Sequence, residues 1–222
     1  MDPLTVPQEL GYLARAVVQA GAYIFKSECS LDQYLELYRE RHGGILEKYG
    51  NIIQKVDDYE WTIYTTWLIS FKRLSAQSTM FLKLCAYLHH DSISEAIFRN
   101  AASNATTYEP SSIVDRPKPS KPKFRFGWKR RRKMSRLPDA AQESGSRMKD
   151  FLAGFQTLES AWDSQKFRTM ITEIRSYSLI EFDQGNQTYS IHPLVHAWIH
   201  TMIPNDEAIR ACTQWILGVS IT

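Results

Sequence analysis

Apolar positions recur at helical spacing over most of the chain. From Pro7 to Phe25 they are Leu10, Leu13, Ala14, Val17, Val18, Ala20 and Ile24, which predicts one well-buried helix. Gly21 inside it costs roughly 1 kcal/mol against Ala and implies the close approach of a neighbour. Ser27–Ser30 breaks the pattern. Ser30 and Gln33 then form a capping box for a helix whose apolar face is Tyr34, Leu35, Tyr38, Ile45, Leu46 and Tyr49. Residues 50–60 are polar and predict a loop. Trp61, Tyr64, Trp67, Leu68, Phe71 and Leu74 share a helical face. Thr62, Thr65 and Thr66 are poor helix formers, so packing must hold that segment. Ser75–Ser78 caps a helix through His89 with a core of Phe81, Leu82, Leu84, Cys85 and Leu88. Asp91–Glu95 caps a shorter one.

The periodicity stops over 103–146 and returns near Met148. Helices are expected over Phe151–Trp162 and Lys166–Tyr177. Alternation then replaces helical spacing. Leu179–Phe182 and Thr188–Ile191 predict a β-hairpin around Gln184-Gly-Asn186. A His192-Pro193 corner opens a helix with Leu194, Val195, Trp198, Ile199 and Met202 on one face, closed by Pro204-Asn205-Asp206. Glu207–Val219 begins a last helix. The expected fold class is mainly α: a helical bundle followed by a winged-helix domain with a small β-hairpin. The expected division is a bundle over 1–104, a disordered basic insertion over 105–146, a winged-helix-like domain over 147–204, and the start of a C-terminal helix or linker over 205–222.

Charge sharpens the picture of the insertion. The 222 residues carry a formal net charge of +3. Residues 116–136 hold eleven Lys or Arg and no acid, so the remainder, with sixteen basic and twenty-four acidic residues, has a net charge of −8. Alternating Lys and Pro neither pack nor form a helix. The basic run Lys129, Arg130, Arg131, Arg132 and Lys133 fits a nuclear-import signal or a nucleic-acid contact, with Phe124, Phe126 and Trp128 available for stacking. It equally fits a solvated insertion. The three cysteines, far apart and odd in number, argue for reduced thiols and an intracellular, cytoplasmic or nuclear setting. No apolar run reaches the roughly 18–20 residues of a membrane span.

Chemistry-bearing motifs are few. The chain has no Gly-x-x-x-x-Gly-Lys-Ser/Thr, no Gly-x-Gly-x-x-Gly and no Gly-x-Ser-x-Gly, so catalysis by this chain is not expected. His192, His196 and His200 recur every four residues, a spacing at which two imidazoles can share a metal. The Glu of the zinc-protease pattern is missing, and the outer pair stands about 12 Å apart along a helix axis. One packed His and two half-exposed ones is the plainer reading. The expected helix over Pro193–Met202 carries no Arg or Lys, which makes it a packing helix and not a major-groove reader.

Six stretches in order carry a resemblance: Leu10–Ile24, Ser30–Arg39, Tyr64–Leu74, Leu84–His89, Tyr177–Ile180 and Tyr189–Trp198. The series resembles the region after the nucleotide-binding core in fungal NB-ARC proteins of the STAND NTPase class. That resemblance implies an ARC-type helical bundle followed by a winged helix. It also implies a P-loop nucleotide-binding domain and tetratricopeptide repeats as partners in full-length relatives, with ADP or ATP as their nucleotide. In the family a Gly-Leu-Pro-Leu-Ala-like motif packs a Pro near adenine. Here Gly11–Ala16 matches it, with Ala14 in the Pro position. A His of a Met-His-Asp-like motif touches the β-phosphate of ADP in the family, and Ile191-His192-Pro193 fits that place with Pro for Asp. The P-loop half is not in this sequence. The expectation is therefore a fragment or interaction module, without a cofactor of its own and without catalysis. The alternative is a winged-helix nucleic-acid binder that uses the basic insertion.

Overall fold

The computed structural model describes residues 4–49, 58–105, 138–203 and 206–221. Among them it has ten α-helices and a two-stranded antiparallel sheet. These are α1 (Thr5–Glu9), α2 (Ala14–Ser27), α3 (Leu31–Tyr49), α4 (Asp58–Phe71), α5 (Ala76–Cys85), α6 (Glu95–Asn104), α7 (Pro138–Ala153) and α8 (Ser164–Ser176), then β1 (Glu181–Asp183) and β2 (Thr188–Ser190), then α9 (Pro193–Met202) and α10 (Glu207–Ser220). The mainly helical class agrees with the periodicity.

Helix starts are written locally. Ser30 and Gln33 exchange the two bonds of a capping box, at 2.8 and 3.2 Å. Ser75, Ser94, Asp163 and Asp206 cap α5, α6, α8 and α10 through their side-chain oxygens. One expected helix is divided. The spacing over 7–25 predicts a single helix, but Gly11 and Tyr12 take left-handed conformations, φ 59° and 54°, between α1 and α2. Such backbone cannot continue a right-handed helix. Gly21 also departs from expectation: a Cβ there would meet nothing within 4 Å. The glycine faces outward, and no neighbour approaches it.

The core joins the helices through aromatic side chains. Phe81 of α5, Phe98 of α6 and Phe167 of α8 form a triangle with ring centroids 5.1 to 5.7 Å apart. Trp67 of α4 meets Trp198 of α9 at 5.7 Å, and Phe71 meets it edge-on. Buried Gln19 on α2 donates to Ser70 Oγ at 3.0 Å and to the Tyr177 carbonyl, which ties α2 to α4 and to the end of α8.

The hairpin lies where alternation predicts it, with Phe182 opposite Tyr189. Its second strand has another neighbour. Ile93 and Tyr189 exchange N–H···O bonds at 2.9 and 2.8 Å. β2 thus sits between β1 and a residue from the α5–α6 connection. Ile93, well before residue 147, therefore stands beside the hairpin.

One further boundary differs from expectation. Residues 138–146, placed above in the disordered insertion, belong to α7. Ser144, Gly145 and Met148 are buried there, and small residues let α10 approach: a Cβ on Gly145 would lie 3.1 Å from Trp215 Nε1. The basic run and the rest of 106–137 lie outside the described residues. The last helix expected from Glu207 is α10, Glu207–Ser220. α10 packs on α5, α6 and α7 and buries Ile209, Cys212, Trp215, Ile216 and Val219.

Candidate functional site

α2 is two-faced. Ala16, Gln19, Ala20 and Tyr23 are buried. On the other side Ala14, Val18, Gly21 and Phe25 are exposed, Val18 at 61% and Phe25 at 87%. Tyr12 is exposed beside them. An i, i+4, i+7, i+11 series of this kind is one continuous stripe. Beside its N-terminal end lies an open hollow of about 680 Å³ between α2, the end of α8 and the start of the hairpin. Ala14, Arg15, Val18, Arg175, Glu181 and Phe182 are among its walls.

His192 is the N-cap of α9. Its Nδ1 accepts the Leu194 N–H at 3.2 Å. That bond requires an unprotonated Nδ1, so the neutral ring carries its proton on Nε2 and donates from there. Burial depresses the imidazole pKa below its usual range. The Arg15 guanidinium and His90 push the same way, and Glu181 opposes them. The positive end of α9 also disfavours an imidazolium. Protonation would not strengthen this residue as a donor in place; it would break the cap. The same two charges, Arg15 and Glu181, line the hollow that Ala14 borders. Ala14 lines that hollow, and His192 feels the same two charges.

The other histidines have separate employments. His196 Nε2 meets the carbonyls of Cys85 and Leu88 at 3.1 and 3.0 Å and so closes the C-terminal end of α5. His89 Nδ1 accepts from the Asp91 N–H, at 3.3 Å. His200 packs edge-on against Tyr87. Among the described residues no group of three His, Cys, Asp or Glu side chains is placed to hold a metal. Cys29, Cys85 and Cys212 are free thiols, and burial raises the pKa of each. No helix among the described residues is long and apolar enough to cross a membrane. Lys129, Arg130, Arg131, Arg132 and Lys133 lie outside the described residues.

Sequence inspection missed Arg175 and Phe182 as walls of the hollow. They reach it because α8 and the hairpin fold back on α2, and no local spacing signals that. Val18 was read as a core residue, because helical spacing gives a wide apolar stripe without saying which edge of it stays open. No protein-family model, no curated protein and no solved structure matches the chain.

Proposed function

We propose that the chain is the regulatory part of an NB-ARC-type signalling NTPase: a helical bundle whose α2 stripe packs against a P-loop nucleotide-binding domain, and a winged-helix unit that carries the nucleotide-sensing His192. The observation that carries this reading is the exposed apolar stripe of α2 beside a hollow lined by Arg15 and Glu181, the two charges that act on His192. An exposed Val18 and Phe25 on one helix face are costly in water and ask for a covering surface. With α7 set aside as an addition between α6 and α8, the order α5, single-residue bridge, α6, α8, hairpin, with β2 between Ile93 and β1, supports the winged-helix unit. Its members are then α5, α6, α8 and the hairpin, and α9 becomes the helix that docks the unit onto the bundle.

The residues present suit one wall of an ADP site. Ala14 and Val18 offer an apolar surface, Arg15 and Arg175 offer cations, and His192 keeps an Nε2–H for a phosphate oxygen. Bound ADP would hold the two halves together through this donor. Its loss frees the winged-helix unit to move, and the movement passes to downstream repeats. The chain contributes no catalysis of its own.

The test is association with a P-loop domain of the same family supplied in trans with ADP, followed by calorimetry. Binding is expected, weakened about ten-fold or more by Val18→Glu or Phe25→Glu, and dependent on His192 when ADP is present. No association, or association indifferent to all three changes, sinks the reading. ADP alone with the isolated chain should give no heat; micromolar binding there would show that a second wall is unnecessary.

A further inference from the structure

Four imidazoles gather where the α5–α6 connection passes the start of α9. His89 is exposed, and His90, His192 and His196 are half-buried. The His89 and His90 rings stack with centroids 4.5 Å apart, and the His90 ring meets that of His196 at 6.1 Å. His192 stands one helical turn before His196, whose N–H it accepts at its carbonyl. The charge of His90 acts on His192. As neutral rings the four pack together; as cations they repel, and each makes the next harder to charge.

Two of them hold their surroundings through a nitrogen that protonation would block. His192 Nδ1 accepts the Leu194 N–H at the start of α9, and His89 Nδ1 accepts the Asp91 N–H. His196 works the other way. Its Nε2 donates to the Cys85 and Leu88 carbonyls, a bond that a charged ring keeps. The backbone of His90 joins the two segments: its carbonyl accepts the Ile191 N–H at 2.7 Å, and Ile93 completes the join through its two bonds to Tyr189. Between these anchors Ser92 is left-handed, φ 59°, a conformation disfavoured for a residue with a Cβ.

The charges around the cluster come from three elements. Asp91 of the connection accepts the Ser92 N–H at 2.7 Å. Burial and then Arg15 of α2 hold the His192 pKa down; Glu181 of β1 opposes them, and His90 adds to the depression. Among the described residues neither Asp91 nor Glu181 forms an ion pair with any of the four histidines. With Asp91, Glu181 and Arg15 counted, the patch passes from a net −1 to +3 as the four rings charge. His200, further along α9, has its own partner in Tyr87.

We propose that this cluster is an acid-sensitive latch: shared protonation of His89, His90, His192 and His196 parts the His89–Ile93 connection from Ile191 and the start of α9, while the helical core stays folded. Histidines are the side chains that charge between about pH 7 and 5, and groups this close titrate as a unit. Parting the segments separates the like charges, and the left-handed Ser92 is freed with them. The Phe81, Phe98 and Phe167 triangle has no group that titrates in this range and keeps α5, α6 and α8 together. Release bares the Ile191 N–H and the Tyr189 backbone on the outer edge of β2. The latch does not rest on the nucleotide reading, since its readout needs neither ADP nor a partner.

The experiment follows amide correlation spectra of the nitrogen-labelled full chain from about pH 7.5 to 5. The amides of Ile93, Tyr189, Ile191 and Leu194 should shift along one shared curve, steeper than the titration of a single proton, while those of Phe81, Phe98 and Phe167 stay in place. His90→Phe keeps an aromatic ring and removes the central charge, so the curve should move to lower pH and lose its excess steepness. His89→Asn, at an exposed position, keeps an acceptor for the Asp91 N–H and should act in the same direction, which leaves a test if the first variant fails to fold. His200→Gln should leave the curve where it is. The latch is overturned if the four amides follow separate curves or do not shift, or if His89→Asn and His90→Phe titrate as the parent does. A loss of far-ultraviolet circular dichroism over the same range would make the event global unfolding and sink it too, as would a response to His200→Gln equal to that of His90→Phe.

Discussion

His192 shows how one imidazole can be fixed by the helix it starts. Its Nδ1 caps α9, so the ring must stay neutral, and burial with Arg15 and His90 depresses its pKa against the pull of Glu181. The unfolded chain binds this proton more readily than the folded one. The stability contributed is therefore fully present above about pH 6.5 and is lost as pH falls from there through the folded value. His192→Ala should cost about 1 kcal/mol at neutral pH by loss of the cap. His192→Asn should keep the cap and remove this part of the pH dependence, read from urea midpoints between neutral and mildly acidic pH. An equal pH slope in the Asn variant would show that the cap and the titration are unconnected. Gln19 is the second decisive residue. It is 2% exposed, with its amide on Ser70 and on the Tyr177 carbonyl. Gln19→Met preserves bulk but strands a buried carbonyl, so a loss of about 1–3 kcal/mol in urea unfolding is expected.

Elements were legible where their signals are local. The Ser30–Gln33 box, the Ser75 cap, the hairpin turn and the His192-Pro193 helix start all follow from a few adjacent residues, and all are present. The break at Gly11-Tyr12 was hidden because apolar periodicity continues across it, whereas φ at a single residue does not show in a pattern. α7 was missed over 138–146 because its contact with α10 is made by Ser144 and Gly145, which no hydrophobic count registers. The Ile93–Tyr189 bridge joins residues 96 positions apart by their numbering, so only the fold reveals that the α5–α6 connection lies beside the hairpin. Glu173 of α8 is an interhelical clamp of another kind, accepting from Ser75 and Ser78 at the start of α5. Burial resists its ionisation, but hydrogen bonds from Ser78 and Ser75, with Lys26 nearby, outweigh this and lower its pKa. A carboxylate with a depressed folded pKa stabilises fully above its ordinary value of about 4.3. That contribution is lost as pH falls through the folded one. Glu173→Gln should be less stable at neutral pH and should lose less on acidification, which melting at pH 7 and near pH 3 would show. A parallel loss in both proteins would remove the clamp from the account of acid unfolding.

At the scale of the molecule, α10 closes the structure. It packs on α6 and α7, the helices on either side of residues 106–137, and on α5. Asn104 Nδ2 at the end of α6 donates to the Val219 carbonyl at 3.0 Å. Thr213 Oγ1 reaches the Leu84 carbonyl at 3.3 Å from the middle of α10. The long stretch between α6 and α7 is thereby bracketed by a helix from the far end of the chain. Holding the ends of α6 and α7 together has an entropic cost that grows only slowly with the length of chain between them, and the burial along α10 offsets it. Ile209, Trp215, Ile216 and Val219 are each buried to below 9% exposure. At about 1.5–3 kcal/mol for each large apolar side chain fully buried, their sum is of the order of 6–12 kcal/mol. That matches the whole stability of a typical domain, about 5–15 kcal/mol. Ending the chain before Glu207 should therefore abolish the cooperative thermal transition, raise binding of an apolar dye and leave α7 the first helix to lose hydrogen-exchange protection. Gly145→Val, which thrusts a branched side chain at Trp215, should reproduce the α7 part alone at a cost of about 1–3 kcal/mol. A truncated chain that still melted cooperatively would mean that α10 covers a core able to stand without it, and that the order of contacts inferred here is inverted.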